Sequence, residues 1–443
     1  MSLDRRSLLL GAALLALPAA ARAATLDSAS FGLKPDAAED QTRNFQRAVE
    51  TAATARLPLR LAAGSYRIGE IRLPANSQVL GVRGQTKLVF TGGSASLAAQ
   101  RADNVTLLGL VIDGGGRPLP DRRGLVTLAH GRSVRIEDCE IAGAGQHGLM
   151  LEGIEGIVRG NIITGAAKAG IMALDSQGLT IAQNTVRGAG NNGILVWRTL
   201  AGDDGTMVEA NRIEEIAARD GGSGQNGNAI NVFRAGNVIV RGNRIKTCAF
   251  SAVRANASAN IAISGNHCAG LGETALYVEF GSEGAVIANN IVDGAALGVV
   301  VTNFNEGGRL AAIQGNLIRN LVARRPVGTD PNDPAGIGIA VEADAAISGN
   351  VVEGAPIAGI QLGWGQYLRD VSVTGNVIKG APVGIAVSVA PGAGQALITD
   401  NLVQGASRGA VVGMEWKRPV TGDLAREGAG RYAQLTVSGN RVR

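Results

Sequence analysis

The chain has 443 residues, of which 45% are hydrophobic, only 3% are aromatic and 64 are glycine. So few rings exclude a large globular core built on aromatics, and small aliphatics with glycine suit a narrow core repeated many times. The formal net charge is +5 without a Lys/Arg cluster, which excludes the electrostatic footprint of a nucleic-acid binder.

Residues 1–23 read as a targeting segment. A twin arginine lies in Asp4-Arg5-Arg6-Ser7-Leu8-Leu9, an apolar run extends from Leu8 to Leu17, and Ala21-Arg22-Ala23 has the A-x-A form of a cleavage site. The apolar run is too short for a membrane span, and no later stretch qualifies as an integral membrane segment. The segment resembles a twin-arginine export signal, with a general secretion signal as the other reading. The expected location is periplasmic or secreted. Removing it takes away three arginines and one aspartate, so the mature charge is +5 − 3 + 1 = +3.

Residues 24–75 read as an N-terminal cap. Phe45, Ala48, Val49 and Ala52 recur at helical spacing, with Asp40 as the expected N-cap. An amphipathic helix here would cover the open end of a solenoid.

From 76 to 443 the chain repeats. Asn161, Asn184, Asn211, Asn243, Asn266, Asn290, Asn316, Asn350, Asn376, Asn401 and Asn440 each sit in a Gly/Asn-x-aliphatic unit, and Cys139 holds the same slot one period earlier. The spacings are 22, 23, 27, 32, 23, 24, 26, 34, 26, 25 and 39, a floor of 22 with loop insertions, which is a solenoid signature. A second motif runs in phase, as in Gly148-Leu149-Met150-Leu151, Gly193-Ile194-Leu195-Val196 and Ala275-Leu276-Tyr277-Val278. Its alternation is that of a strand. Each period therefore holds two or three short strands joined by Gly/Asn turns, and stacking brings the asparagines into a ladder. The predicted fold is all-β, a right-handed parallel β-helix of roughly a dozen coils, about 60 Å long at about 4.8 Å per coil.

The three cysteines, Cys139, Cys248 and Cys268, read as buried thiols, with a disulfide left open. Neither C-x-x-C nor paired Cys/His at ligand spacing occurs, so no metal site is expected. No haem, flavin or iron–sulfur motif assigns a cofactor.

Phe31-Gly32, Asp36, Asp40-Gln41-Thr42, Gln46-Arg47-Ala48-Val49 and Gly64-Ser65-Tyr66, followed by the Asn repeat, resemble the entry of pectate-lyase-like β-helix proteins. Together with the twin arginine they resemble the twin-arginine-translocated β-helix repeat family. The superfamily implies polysaccharide lyases, glycosidases and uronate epimerases, and also phage spikes and adhesins. The polygalacturonase motifs are not reproduced. Asp203-Asp204, Gln146-His147-Gly148 and Arg244-Ile245-Lys246 occur out of order, and the Asn-Thr-Asp is absent.

Aligning the coils singles out one face. The outward position of the second motif is apolar in Met150, Met172, Leu195, Val300, Ala386 and Val411, but polar or charged at Asn231, Arg254 and Tyr277. Two residues further along, also outward, lie Phe233, Asn256 and Glu279. Before the small residue come Asn192, Asn228, Ser251 and Thr274. Trp197, Phe233, Phe280, Phe304, Trp364 and Trp416 fall just after this strand, a row suited to stacking on sugars. The insertions 217–227 and 323–335 can wall a cleft, as can loops 199–207 and 303–310.

Two functions follow. In the first, the protein binds or processes a uronate-containing polysaccharide by lysis or epimerisation. Arg254 then neutralises the carboxylate, Tyr277 acts as base or acid and Glu279 assists. Asn192, Trp197, Arg198, Asn228, Asn231, Phe233, Arg234 and Asn256 complete the expected substrate-binding set. Hydrolysis needs a second carboxylate, and Glu279 has only Glu152 and Glu342, several coils away. In the second, the chain is a non-catalytic envelope or adhesin module. The first predicts a walled groove over Arg254, Tyr277 and Glu279; the second predicts a flat or loop-buried face.

Overall fold

The computed structural model describes residues 24–330 and 332–443; the targeting segment lies outside the described residues. The chain winds into a right-handed solenoid of about 14 turns. One wall is a 15-stranded parallel sheet, and a 29-stranded sheet forms the other two faces of each coil. Fourteen turns exceed the expected dozen because the first coils precede the Asn ladder: Gly64–Ile68 already pairs with Thr86–Phe90, and Leu59 with Val79. The coiled region therefore begins inside residues 24–75.

The helix Thr42–Ala55 packs Phe45, Ala48, Val49 and Ala52 against the first coils, which removes the open core from water. Gln41 rather than Asp40 occupies its N-cap position. The Asp40 carboxylate still accepts from the Thr42 N–H at 2.9 Å, so the capping chemistry is kept one residue earlier. At the other end a hairpin, Gly409–Glu415 with Arg418–Asp423, and the helix Leu424–Glu427 close the core with Leu424.

The asparagines form the expected ladder along one corner. Asn243 is typical. Its amide donates to Val208 O at 2.9 Å and to Asn266 Oδ1 at 3.0 Å, and its Oδ1 accepts from the backbone N–H and side chain of Asn211, both at 3.0 Å. Every hydrogen-bonding group of the side chain is used, in a buried site. Cys139 begins the ladder, its backbone N–H donating to Asn161 Oδ1 at 2.9 Å. Asn243→Ala is expected to cost about 2 kcal/mol, because partners in two coils are left unpaired; thermal unfolding followed by circular dichroism measures it. All three cysteines are buried and free, and burial pushes the Cys139 and Cys248 thiols up to about 12.

The outward face of the second motif runs as one register row, Met150, Met172, Leu195, Asn231, Arg254, Tyr277, Val300, Ala340, Gln361, Ala386 and Val412. Val412, not Val411, stands opposite Ala386. Gly409 pairs with Val383 and Val411 with Ile385, so Ala410 rather than Gly409 takes the small-residue place and Val411 points into the core.

Candidate functional site

The polar stretch of this face is loop-buried. Asn192 Nδ2 donates to Gln225 O at 2.8 Å, Asn231 Nδ2 to Gly224 O at 3.0 Å, Asn228 Nδ2 to Asn226 O at 2.9 Å, and Arg254 Nη1 to Ser223 O at 2.7 Å. These are the carbonyls of the insertion 217–227, which would otherwise lie on an apolar sheet without partners. Lys168 and Asn191 hold its start through Asp220, at 2.5 and 2.6 Å. The polarity of Asn192, Asn228, Asn231 and Arg254 is thereby explained as a loop clamp.

Arg254 is also the centre of a buried ion network. Its Nε and Nη2 meet the two oxygens of Glu279 at 2.7 and 2.8 Å, and its Nη1 meets Glu273 at 3.1 Å. Arg325, from the second insertion, closes the other side of Glu273 and reaches Asp333 at 3.4 Å. Asn256 donates to Glu279 at 3.0 Å. Arg254 is only 5% exposed and Glu279 1%. Burial alone would lower the Arg254 pKa, but the Glu279 carboxylate outweighs it and the pKa rises. Arg254 lies over the Tyr277 ring at 4.6 Å. Burial and the Glu279 charge push the Tyr277 phenol well above its ordinary value, so Tyr277 is a neutral hydrogen-bond donor.

The remaining expected residues lie on the same face. Trp197 donates to Asn231 Oδ1 at 2.8 Å and packs edge-on to Phe233 at 5.9 Å. Arg234 covers Phe233 at 4.7 Å and donates to Thr199 O at 2.9 Å. Arg198 donates to Ser176 O at 3.3 Å. The aromatics do not make one continuous strip. Trp197 and Phe233 form one group. Trp364, Trp416 and Tyr367 form another, with centroids 5.7 Å apart for Trp364–Trp416 and 6.5 Å for Tyr367–Trp416.

Beyond Tyr277 the same face opens into a cleft of about 390 Å³. Tyr277, Val300, Ala340 and Gln361 floor it; Asn303 and Asn305 edge it; Trp364 and Tyr367 wall it at one end, and Asp333 and Pro334 of the second insertion arch over it. Lys417 Nζ, at the tip of the terminal hairpin, donates to Asn332 O at 2.6 Å. A second cleft of about 790 Å³ lies across the arch and shares Arg325, Trp364 and Lys417. Of the expected site residues, Tyr277 alone lines the first cleft.

Glu342 also lines it and is the residue that sequence reasoning set aside. Val278, Val301 and Val341 share one register row, so the residues that follow them, Glu279, Thr302 and Glu342, stack in successive coils. Glu342 is thus two coils from Glu279, about 10 Å along the axis, although the two are 63 positions apart in the chain. The 323–335 insertion hides that proximity in the sequence. Thr302 Oγ1 donates to Glu342 Oε1 at 2.8 Å and the Phe304 N–H to Oε2 at 2.6 Å. Burial raises the Glu342 pKa in spite of these two donors. A carboxyl in a cleft whose pKa is raised by burial is a candidate for proton transfer. Among the described residues no group of three or more His, Cys, Asp or Glu is placed to hold a metal ion, and no helix is long and apolar enough to cross a membrane.

A family model for the right-handed beta helix region matches residues 83–213 and 199–378. The chain belongs to the right-handed β-helix family. Among solved structures it is similar to the A-module of the mannuronan C-5 epimerase AlgE6 of Azotobacter vinelandii, with a TM-score of 0.55 and 17% identity over 88% of this chain and 99% of that one. It is similar to PfbA, a surface adhesin of Streptococcus pneumoniae, with a TM-score of 0.54 and 13% identity over 82% and 93%. It is also similar to pre-mature bacteriophage phi29 gene product 12, with a TM-score of 0.53 and 16% identity over 87% of this chain, but spans only 54% of the phage protein. At these identities the likeness is one of fold. A comparison with curated proteins gives no match.

Proposed function

We propose that the protein is an exported β-helix that binds a polysaccharide in the cleft beyond Tyr277. The observation that carries this reading is the make-up of the cleft: Trp364 and Tyr367, braced by Trp416, stand over a floor of Tyr277 and Gln361, with Asn303 and Asn305 at the edge. Flat apolar rings beside amide and hydroxyl donors match the two surfaces of a sugar ring. The fold supports it, since a mannuronan epimerase and a surface adhesin share it. Export, and membership of the twin-arginine-translocated group, rest on Arg5-Arg6 and the apolar run after them.

Trp364→Ala is expected to weaken binding about ten-fold, the equivalent of one aromatic stacking contact of about 1.4 kcal/mol. Affinity electrophoresis of the mature protein through gels containing alginate, pectate or neutral glucan reads this. Equal retardation of wild type and variant in every gel would remove the cleft from the reading.

A second reading, chemistry on a uronate sugar, is favoured by Glu342. The Lys417 ammonium has no acid partner among the described residues and can meet the sugar carboxylate. Glu342 takes the C5 proton and the Tyr277 phenol supplies one. Delivery to the opposite face of C5 is epimerisation; delivery to the leaving oxygen, as that C–O bond breaks and a C4–C5 double bond forms, is lysis. Arg254 and Glu279 here position Tyr277 rather than touch substrate. The non-catalytic module differs in one respect, that Glu342 can be neutralised without consequence for the ligand.

A further inference from the structure

The face of the 15-stranded sheet changes character along the axis. Its outward row is polar at Arg212, Arg244 and His267, then aliphatic for five successive coils at Ile291, Leu317, Val351, Val377 and Leu402. Ile291, Val351 and Val377 are each more than a third exposed, at 38%, 39% and 37%. Around the Asn-ladder corner, Val286, Leu310 and Leu397 are also exposed. Contiguous apolar surface of this kind marks an interaction face more than scattered exposed aliphatics do.

A charged row flanks the aliphatic one, two residues further along each strand: Asp293, Arg319, Glu353 and Lys379, in successive coils. Within the chain they pair as Arg319–Asp293 at 2.7 Å and Lys379–Glu353 at 3.1 Å. The order acid, base, acid, base reads base, acid, base, acid when reversed. A two-fold axis lying in the face along the strand direction, between the Leu317 and Val351 coils, therefore sets Arg319 of one copy against Glu353 of the other. It likewise sets Asp293 against Lys379, each contact made twice. The same operation sets Leu317 against Val351 and Ile291 against Val377. A two-fold parallel to the solenoid axis brings no such complementarity, because it carries the charged row to the far side of the aliphatic one.

We propose that this face pairs two copies of the chain with their solenoid axes antiparallel. Four coils by one strand width, with their flanks, cover on the order of 400 Å² per partner, below the roughly 800 Å² of a standard stable interface. The dimer is accordingly weak and concentration-dependent.

Sedimentation equilibrium of the mature protein, from micromolar to several hundred micromolar, is the test. Wild type is expected to move from monomer to dimer across that range. Arg319→Glu and Glu353→Arg are each expected to remain monomeric, while the double variant Arg319→Glu/Glu353→Arg restores the dimer, with circular dichroism confirming that each is folded. A wild type monomeric throughout overturns the proposal. So does a dimer that Arg319→Glu leaves intact. A dimer that Val351→Glu and Arg319→Glu each break, but that the double variant Arg319→Glu/Glu353→Arg does not restore, overturns the antiparallel register.

Discussion

Arg254→Ala is expected to lower the unfolding free energy by about 3–5 kcal/mol, the usual cost of removing one partner of a buried ion pair. The size follows from what is left behind. Glu279 loses both its guanidinium bonds, and Glu273 keeps only Arg325. Two carboxylates then sit beneath the insertions with one cation between them, and neither can be rehydrated without moving a loop. Ser223 O loses its donor as well, so the insertion 217–227 should loosen at the same time. Denaturant unfolding measures the first effect. Amide exchange of the insertion measures the second. Glu279→Gln is expected to cost less, because the amide oxygen can still accept from Arg254 and charge is removed rather than exposed. A loss for Arg254→Ala within about 1 kcal/mol, without faster exchange at 217–227, would mean that the network is hydrated in solution.

This result bears on function through Tyr277. The guanidinium over its ring and the carboxylate beyond fix the phenol at the near edge of the cleft. In the sequence Arg254 and Tyr277 stand out because, with Asn231, they interrupt an apolar row, and Glu279 because it lies two residues beyond Tyr277 on the same outward side. The structure divides them: Arg254 and Glu279 satisfy each other and a loop, and Tyr277 faces the open cleft. Alternation along a strand reports which way a side chain points, not what covers it.

The legible part of the chain was the part set by local repetition. Asn161 to Asn440 announce the coil length because each must lie one strand spacing from the next to share amide bonds. Phe45 to Ala52 announce a helix because their spacing serves one buried face. The site depended on distances that repetition conceals. Glu342 looked remote from Glu279 because residues 323–335 lengthen one coil. Only register shows that the insertion leaves the axis unchanged and arches back over the cleft. Asp333 and Lys417 were invisible for a related reason. They sit at loop tips, where neither period two nor the 22-residue floor constrains position.

Glu342→Gln is expected to stabilise the protein at neutral pH and to abolish turnover if the chemistry on uronate sugars is correct. The stability sign follows from the pKa. Burial raises the folded-state value, so the folded chain holds its proton at pH values where the unfolded chain has lost it. Stability is then greatest below the ordinary carboxylate range and falls as pH rises through the window between the ordinary and the raised value. Above that window the full cost of burying the charge remains. Glutamine carries no charge and should remove both the cost and that segment of the pH dependence. It also fits the site: its amide oxygen can accept from the Phe304 N–H and its NH2 can donate to Thr302 Oγ1, which replaces both present contacts. The same change removes the proton acceptor, and a loss of about 10²–10⁴-fold in rate is expected from general-base catalysis. Thermal unfolding across pH and unsaturated-uronate absorbance on alginate and pectate, with epimerisation followed by proton NMR, separate the outcomes. Higher stability with lost turnover and unchanged retention in the gel identifies Glu342 as the base. Higher stability with unchanged retention and no turnover in either protein favours the non-catalytic module, in which the Glu342 charge is a cost of burial that neither binding nor chemistry uses.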